Sequence, residues 1–232
     1  LPPPPPPPPR PRQHFDPSQC HCPQPVEGVI LLVVADRPNH FLCHHLASAL
    51  LHGLSPIVLG WDETSWNEAT RKPWSFHLAA KLVLPLLKLK SCAYPKDTLV
   101  VFTDQDVLFQ GGYAELKANY RRASALSGGA KIVFSVEKEP FPGELKHLYT
   151  QSPQGAIHQM SYLNSGMWMG PIEEVQLMLA ALLGTERPID ELMHHYLNWG
   201  RVGGKVPEAF SYNDQTKFSG LYLSQLFYSS CG

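Results

Sequence analysis

Two uninterrupted apolar runs, each stopped by an aspartate, constrain this chain more than any other feature. Val29-Ile30-Leu31-Leu32-Val33-Val34-Ala35 ends at Asp36, and Leu99-Val100-Val101-Phe102 passes through Thr103 into Asp104. Runs that are apolar throughout, rather than alternating, belong to strands covered on both faces, as in a parallel sheet between helices. The intervening segments supply those helices. Phe41 to His52 has helical spacing and is closed by Gly53; Ile57-Val58-Leu59 is a short strand closed by Gly60. Ser75 to Leu89 reads as a helix, with Ser75 as its cap and Pro85 expected to kink it. Tyr113 to Leu126 is a further helix and Lys131 to Val136 a fourth strand. The β-α-β-α-β-α-β order predicts an α/β fold with a mostly parallel central sheet flanked by helices. With 232 residues, 44% of them hydrophobic, the chain has ample material for one core.

The rest is less regular. Glu139-Pro140-Phe141-Pro142-Gly143 is a loop, Ile172 to Leu183, Ile189 to Trp199 and Thr216 to Phe227 read as helices, and no internal repeat is evident. Pro2 to Pro9 is an unbroken proline tract extended by Arg10-Pro11-Arg12; such a tract adopts polyproline II. It serves as a rigid stem, as a ligand for a proline-recognition domain, or as a hydroxyproline-rich wall-type segment of the secretory route. Residues 1–27 are expected to form a proline-rich, disordered stem and residues 28–232 the globular domain. No apolar run approaches the roughly 20 residues that span a bilayer, and the chain begins at Leu1, so membrane attachment would come only from an amino-terminal anchor ahead of it. Of five cysteines, Cys20 and Cys22 flank His21, a spacing too tight for a usual zinc site. A disulfide joining the amino-terminal cysteines to the domain is the better reading and points to an oxidising compartment; the sequence does not give the pairing.

Asp104-Gln105-Asp106 carries the chemistry. Two acids delivered to the carboxyl end of a buried strand suit a hard divalent cation, which binds through a carboxylate or two plus substrate phosphates. An Asp there is also ordinary turn or helix-cap chemistry. Gly111-Gly112 follows shortly after, and open α/β sheets bind ligands outside their carboxyl edge. The first strand is not followed by G-x-G-x-x-G, and no G-x-x-x-x-G-K-[ST] occurs, so dinucleotide and P-loop sites are set aside. A net charge of −1 gives no basic field for nucleic acid. A sugar-phosphate nucleotidylyltransferase would want a glycine-rich basic loop where Ala35-Asp36-Arg37-Pro38 stands.

Three pieces, in order, carry a resemblance: Val101 to Gly112 with its D-x-D, then Tyr162-Leu163-Asn164-Ser165-Gly166, then Asp214-Gln215. Together they resemble the GT-A-fold glycosyltransferase domain of the procollagen lysyl hydroxylases and the related collagen galactosyltransferases, over about Val29 to Leu226. The resemblance implies a GT-A, Rossmann-like nucleotide-sugar fold and a metal-dependent transfer of a hexose, glucose or galactose, from a UDP-sugar to a hydroxyl on a protein or glycan. The acceptor class it suggests includes hydroxylysine, and the proline tract adds hydroxyproline. Localisation would be the endoplasmic reticulum or Golgi lumen, or secretion.

Position by position, the resemblance assigns Asp104 and Asp106 to Mn²⁺ (or Mg²⁺), with Asp106 the surer match because the spacing is one residue tighter than in the hydroxylase domains. It gives the donor Ala35, Asp36, Trp66, Lys81, Asp104, Gln105, Ser165, Gly166 and Gln215, and gives catalysis Asp214 and Asn164. Several have a plainer alternative, Asp36 as a turn residue among them. Trp61 and Trp74 rival Trp66, Lys81 could be a solvated helix lysine, Asn-Ser-Gly is turn chemistry, and Asp214 could be a helix N-cap. The His-bearing segment that completes the metal site in this family has no counterpart before Gly232, and His194 and His195 precede Asp214, out of order. Either the sequence stops short of that segment, or another His serves, or the metal is held weakly. No iron-dependent hydroxylase domain is present, so lysine hydroxylation is not expected. The alternative function is a non-catalytic wall or matrix protein carrying a degenerate transferase domain on a proline stem.

Overall fold

The computed structural model describes residues 22–35, 38–60, 74–139, 162–183, 214–215 and 217–219. Its strands are β1 (Val29–Val34), β2 (Ile57–Leu59), β3 (Leu99–Thr103), β4 (Val133–Glu137) and β5 (Tyr162–Pro171). Its helices are α1 (His40–Leu51), α2 (Trp74–Ser91), α3 (Tyr113–Leu126) and α4 (Ile172–Leu183). The α/β architecture expected from the sequence is present, with every forecast element before residue 138 in place. Ser75 lies inside α2, which starts at Trp74, and Pro85 sits within the same helix. The helices read at Ile189 to Trp199 and across most of Thr216 to Phe227 lie outside the described residues.

The five strands form one sheet in the order β2-β1-β3-β5-β4. β1 is parallel to β2 and β3, whereas β5 is antiparallel to both β3 and β4. β1 to β4 therefore run in one direction, as the sequence predicts, and β5 is an opposed strand inserted between β3 and β4. The sheet is mixed. Side chains alternate across it, which is why the apolar runs are unbroken. Ile30, Leu32, Val100, Phe102 and Trp168 pack with α2 and α4, while Val29, Leu31, Leu99 and Val101 pack with Ala49 of α1 and Tyr113 and Leu116 of α3. Phe102 and Trp168, register partners on β3 and β5, stack at 4.8 Å and 8°.

The carboxyl ends of β1 and β3 fall on one edge of this sheet, and the turns that follow are anchored there. Asn39 caps α1 by accepting from Leu42 N at 2.9 Å, which satisfies one of the donors a helix start leaves open. The opposite edge is tied by covalent chemistry. Cys22 and Cys92 form a disulfide, Cα–Cα 5.7 Å, so Cys22 does not serve a zinc site; Cys20 and His21 lie outside the described residues. The chain just after Cys22 is also attached, through a bridge between Val26 and Val29 and through Lys117 Nζ on Glu27. A cross-link across 70 residues of sequence restricts the unfolded chain by about 4 kcal/mol. Cys92→Ser should therefore lower the melting temperature by roughly 10 °C, measured against wild type by circular dichroism. Equal melting under non-reducing conditions would show that this bridge contributes nothing.

Candidate active site

β5 is the element that assembles the site. Its pairing with β3 brings Thr103 opposite Met167, and the ladder continues as Asp104 N donates to Gly166 O at 2.7 Å. The Asp-Gln-Asp turn and the Asn-Ser-Gly segment, some sixty residues apart, are thus neighbours because of strand register. On its other side β5 carries a bulge. Phe134 of β4 pairs with Trp168, but the next β4 residue, Ser135, pairs with Asn164. Ser165, Gly166 and Met167 have no register partners on β4 and bow out of that ladder, a device common beside active sites. Ser135 Oγ closes the mouth of the bulge, 3.2 Å from both Asn164 O and Met167 O.

Lys81 of α2 projects into this corner and joins three segments. Its Nζ lies 2.7 Å from Asp104 Oδ2 and 3.8 Å from Asp214 Oδ2. Asp214 is buried and accepts the Ser165 hydroxyl at 2.9 Å. Gln215 accepts from Ser165 N and donates to Leu163 O and to Glu137 Oε1. The pair is carried to the sheet by its own helical turn: Phe218 is buried against Trp168 and Phe134, and Lys217 Nζ donates to Leu182 O at 2.8 Å, closing the end of α4.

Glu137 was not singled out by the sequence, yet it orders two of the motif residues. Its Oε2 accepts from Asn164 Nδ2 at 3.1 Å and its Oε1 from Gln215 Nε2 at 3.1 Å. A carboxylate only accepts, so both amides must turn their nitrogens toward it. That aims Asn164 Oδ1 at Gly166 N, 2.6 Å away, and Gln215 Oε1 at Ser165 N. Burial raises the Glu137 carboxyl above its ordinary value, with the Asn164 bond pulling the other way. An acid at the carboxyl end of a strand, as at Asp104, was the signal available in the sequence.

The charges do not balance locally. Burial works against the Lys81 ammonium, but Asp104, Asp214 and Asp106 together outweigh it and hold its pKa above the ordinary value. The Asp104 carboxyl is pushed up to about 6, chiefly by burial, against the pull of Lys81 and with added repulsion from Asp214 and Asp106. Three carboxylates facing one amine leave room for a further cation, and oxygen donors on Asp104 and the exposed Asp106 suit a hard one. Among the described residues no three His, Cys, Asp or Glu side chains are placed to hold a metal by themselves. A folded-state pKa above the ordinary 3.8 means the folded chain prefers the proton. The contribution is fully present below about pH 4 and lost as pH rises through 6, on the order of 3 kcal/mol. In metal-free buffer, Asp104→Asn should melt above wild type at pH 8 and level with it near pH 4. A variant that melts lower at pH 8 would show that the Lys81 pair dominates instead.

Of the residues expected to bind donor, Lys81, Asp104, Ser165, Gly166 and Gln215 converge here, with Asn164 and Asp214. Gln105 adjoins them, its Oε1 accepting from Asn39 Nδ2 at 2.7 Å. Ala35 is buried at the end of β1 and gives its N–H to Leu59 O. Asp36, Trp61, Trp66, His194 and His195 lie outside the described residues.

The PLOD GT domain family matches residues 26–198, well over half of the chain. The chain belongs to that family. It is a glycosyltransferase domain, as the resemblance to the lysyl hydroxylase and collagen transferases implied. The PLOD GT match takes in the D-x-D turn, Lys81 and Asn-Ser-Gly but ends before Asp214, which contacts Lys81 and Ser165 inside the matched range. No curated protein matches the sequence. Among solved structures, the apo form of mouse xyloside xylosyltransferase 1 is 13% identical, with 84% of this chain and 82% of that one covered and a TM-score of 0.43.

Proposed function

We propose that this glycosyltransferase domain moves a hexose, glucose or galactose, from a UDP-sugar to a hydroxyl group on a secretory protein or glycan, with Mn²⁺ or Mg²⁺ as cofactor. The observation that carries this reading is the Lys81 bridge between Asp104 and Asp214 at the edge where Asn-Ser-Gly bows outward. Held by Asp104 and Asp106, the cation would neutralise charge on the departing diphosphate. Lys81 adds a fixed positive charge at the same corner. Both described partners of Asp214, Ser165 and Lys81, engage Oδ2. Its Oδ1 is the oxygen to take the proton of an acceptor hydroxyl in an inverting reaction. Asn164, held by Glu137, and the backbone of Ser165 and Gly166 would line the junction of donor and acceptor. Ala35, Asp36 and Trp66 are proposed to grip the nucleotide, and Gln105 and Gln215 the sugar-diphosphate.

The Cys22–Cys92 disulfide supports the lumen of the secretory route or the exterior as the working compartment, where hydroxylysine- or hydroxyproline-containing acceptors occur. Among the described residues no helix is long and apolar enough to cross a membrane. The test is Mn²⁺-dependent hydrolysis of UDP-glucose and UDP-galactose, repeated with Asp106→Ala, which should lose at least about a hundredfold in rate. Absence of both hydrolysis and UDP binding in the intact chain would favour the non-catalytic matrix reading.

A further inference from the structure

We propose that His45 of α1 is a positioning residue, holding the Asp104–Asp106 turn from behind without touching substrate. The inference rests on the proposed role of those two acids. His45 is fully buried, at 0% exposure. Its Nδ1 lies 2.8 Å from Val107 O and its Nε2 3.5 Å from Thr103 Oγ1. Thr103 immediately precedes Asp104 and Val107 immediately follows Asp106, so one imidazole reaches both ends of the Asp-Gln-Asp turn.

The partners fix the ring's proton. A carbonyl only accepts, so Nδ1 carries the hydrogen and Nε2 offers its lone pair to the Thr103 hydroxyl. Burial lowers the His45 pKa, against the pull of Val107 O and Asp106, which keeps this neutral form in place. The ring edge also packs on Phe109 at 5.1 Å.

Two neighbours on the same side extend the grip. Ser48, one turn along α1, accepts from Phe109 N at 3.1 Å, and the capping Asn39 donates to Gln105 at 2.7 Å. The contacts from the α1 side fall on residues 103, 105, 107 and 109, while Asp104 turns to Lys81. A buried position among apolar neighbours would be filled more cheaply by leucine; a polar ring there has to be justified by its hydrogen bonds.

The test uses two substitutions and a readout independent of activity. His45→Leu keeps bulk and removes both hydrogen bonds; His45→Asn keeps an N–H donor close to the place of Nδ1. By native-state hydrogen exchange, the Val107 and Phe109 amides should open about tenfold faster in His45→Leu, the scale of one lost hydrogen bond. Those of Ile30 and Val100 should be unchanged, and His45→Asn should return to within about threefold of wild type. Mn²⁺ affinity, measured by calorimetry on the whole chain, should weaken about tenfold in the leucine variant and recover in the asparagine variant. Unchanged exchange in His45→Leu, acceleration spread evenly over the sheet, or equal effects of the two variants would each overturn the proposal. A wild-type chain that binds no Mn²⁺ would refute the metal assignment alone, since the exchange data still decide whether His45 holds the turn.

Discussion

Lys81→Met should lower UDP-sugar hydrolysis by at least about a hundredfold, the scale on which one oriented charge or donor contributes in a water-poor site. Methionine keeps the length and the apolar stem of lysine. What disappears is the charge between Asp104 and Asp214, 2.7 and 3.8 Å away. Without it the Asp104 carboxyl, already pushed up to about 6, loses the pull that opposes its burial and moves higher still. Asp104 would then be protonated over more of the neutral range and serve a cation less well. The rate loss should therefore shrink as pH is raised. Stability should fall modestly, by about 1–3 kcal/mol, because the two side chains are 23% and 24% exposed and solvent screens them in part. Lys81→Arg should recover little, since a planar guanidinium does not replace a compact ammonium between two single oxygens. Hydrolysis by Lys81→Met within about threefold of wild type, at full folding, would remove Lys81 from the reaction.

Gly166→Ala should be nearly as damaging for a different reason. A methyl group at this position would stand 2.7 Å from Asn164 Oδ1 and 3.3 Å from Asp104 Oδ2. The first distance is below any real carbon contact, so Asn164 must move and give up its bond to Gly166 N. The second places an apolar group against the oxygen that accepts from Lys81 Nζ. Misplacing site groups by about an ångström costs on the order of a hundredfold in rate, and the crowding about 1–2 kcal/mol in stability. The rate loss should greatly exceed what the melting shift accounts for. A variant of normal rate would mean that the bulge relaxes freely and that Asn164 has no part in transfer.

The sequence made the parallel part of the sheet legible because its evidence is local. Val29 to Val34 and Leu99 to Phe102 are apolar on both faces, and α1, α3 and α4 carry helical spacing with clear ends. β5 was harder. Asn164-Ser165-Gly166 interrupts its apolar character just where the strand bulges, and its antiparallel place between β3 and β4 depends on pairings far apart in sequence. The motif residues were legible as residue types in a recognisable order. Their arrangement was not: that Lys81 would bridge Asp104 and Asp214, or that Ser165 would bond both members of Asp214-Gln215, depends on how α2 and the last helical turn dock. Glu137, His45 and Asn39 belong to no motif. A lone acid, a lone histidine and a helix cap gain their meaning only from what stands opposite them.

The disulfide pins the described chain at one end of the domain. Cys92 lies just beyond the last residue of α2 and ahead of β3, while Lys81 sits mid-way along that helix and Asp104 just past the far end of β3. Ten residues of helix separate Lys81 from Ser91, about 15 Å at the usual rise. Cys22 is thus fastened at the end of the domain remote from Asp104. Reducing that bridge should therefore loosen the fold at the end remote from Asp104, so the two ends can be perturbed separately.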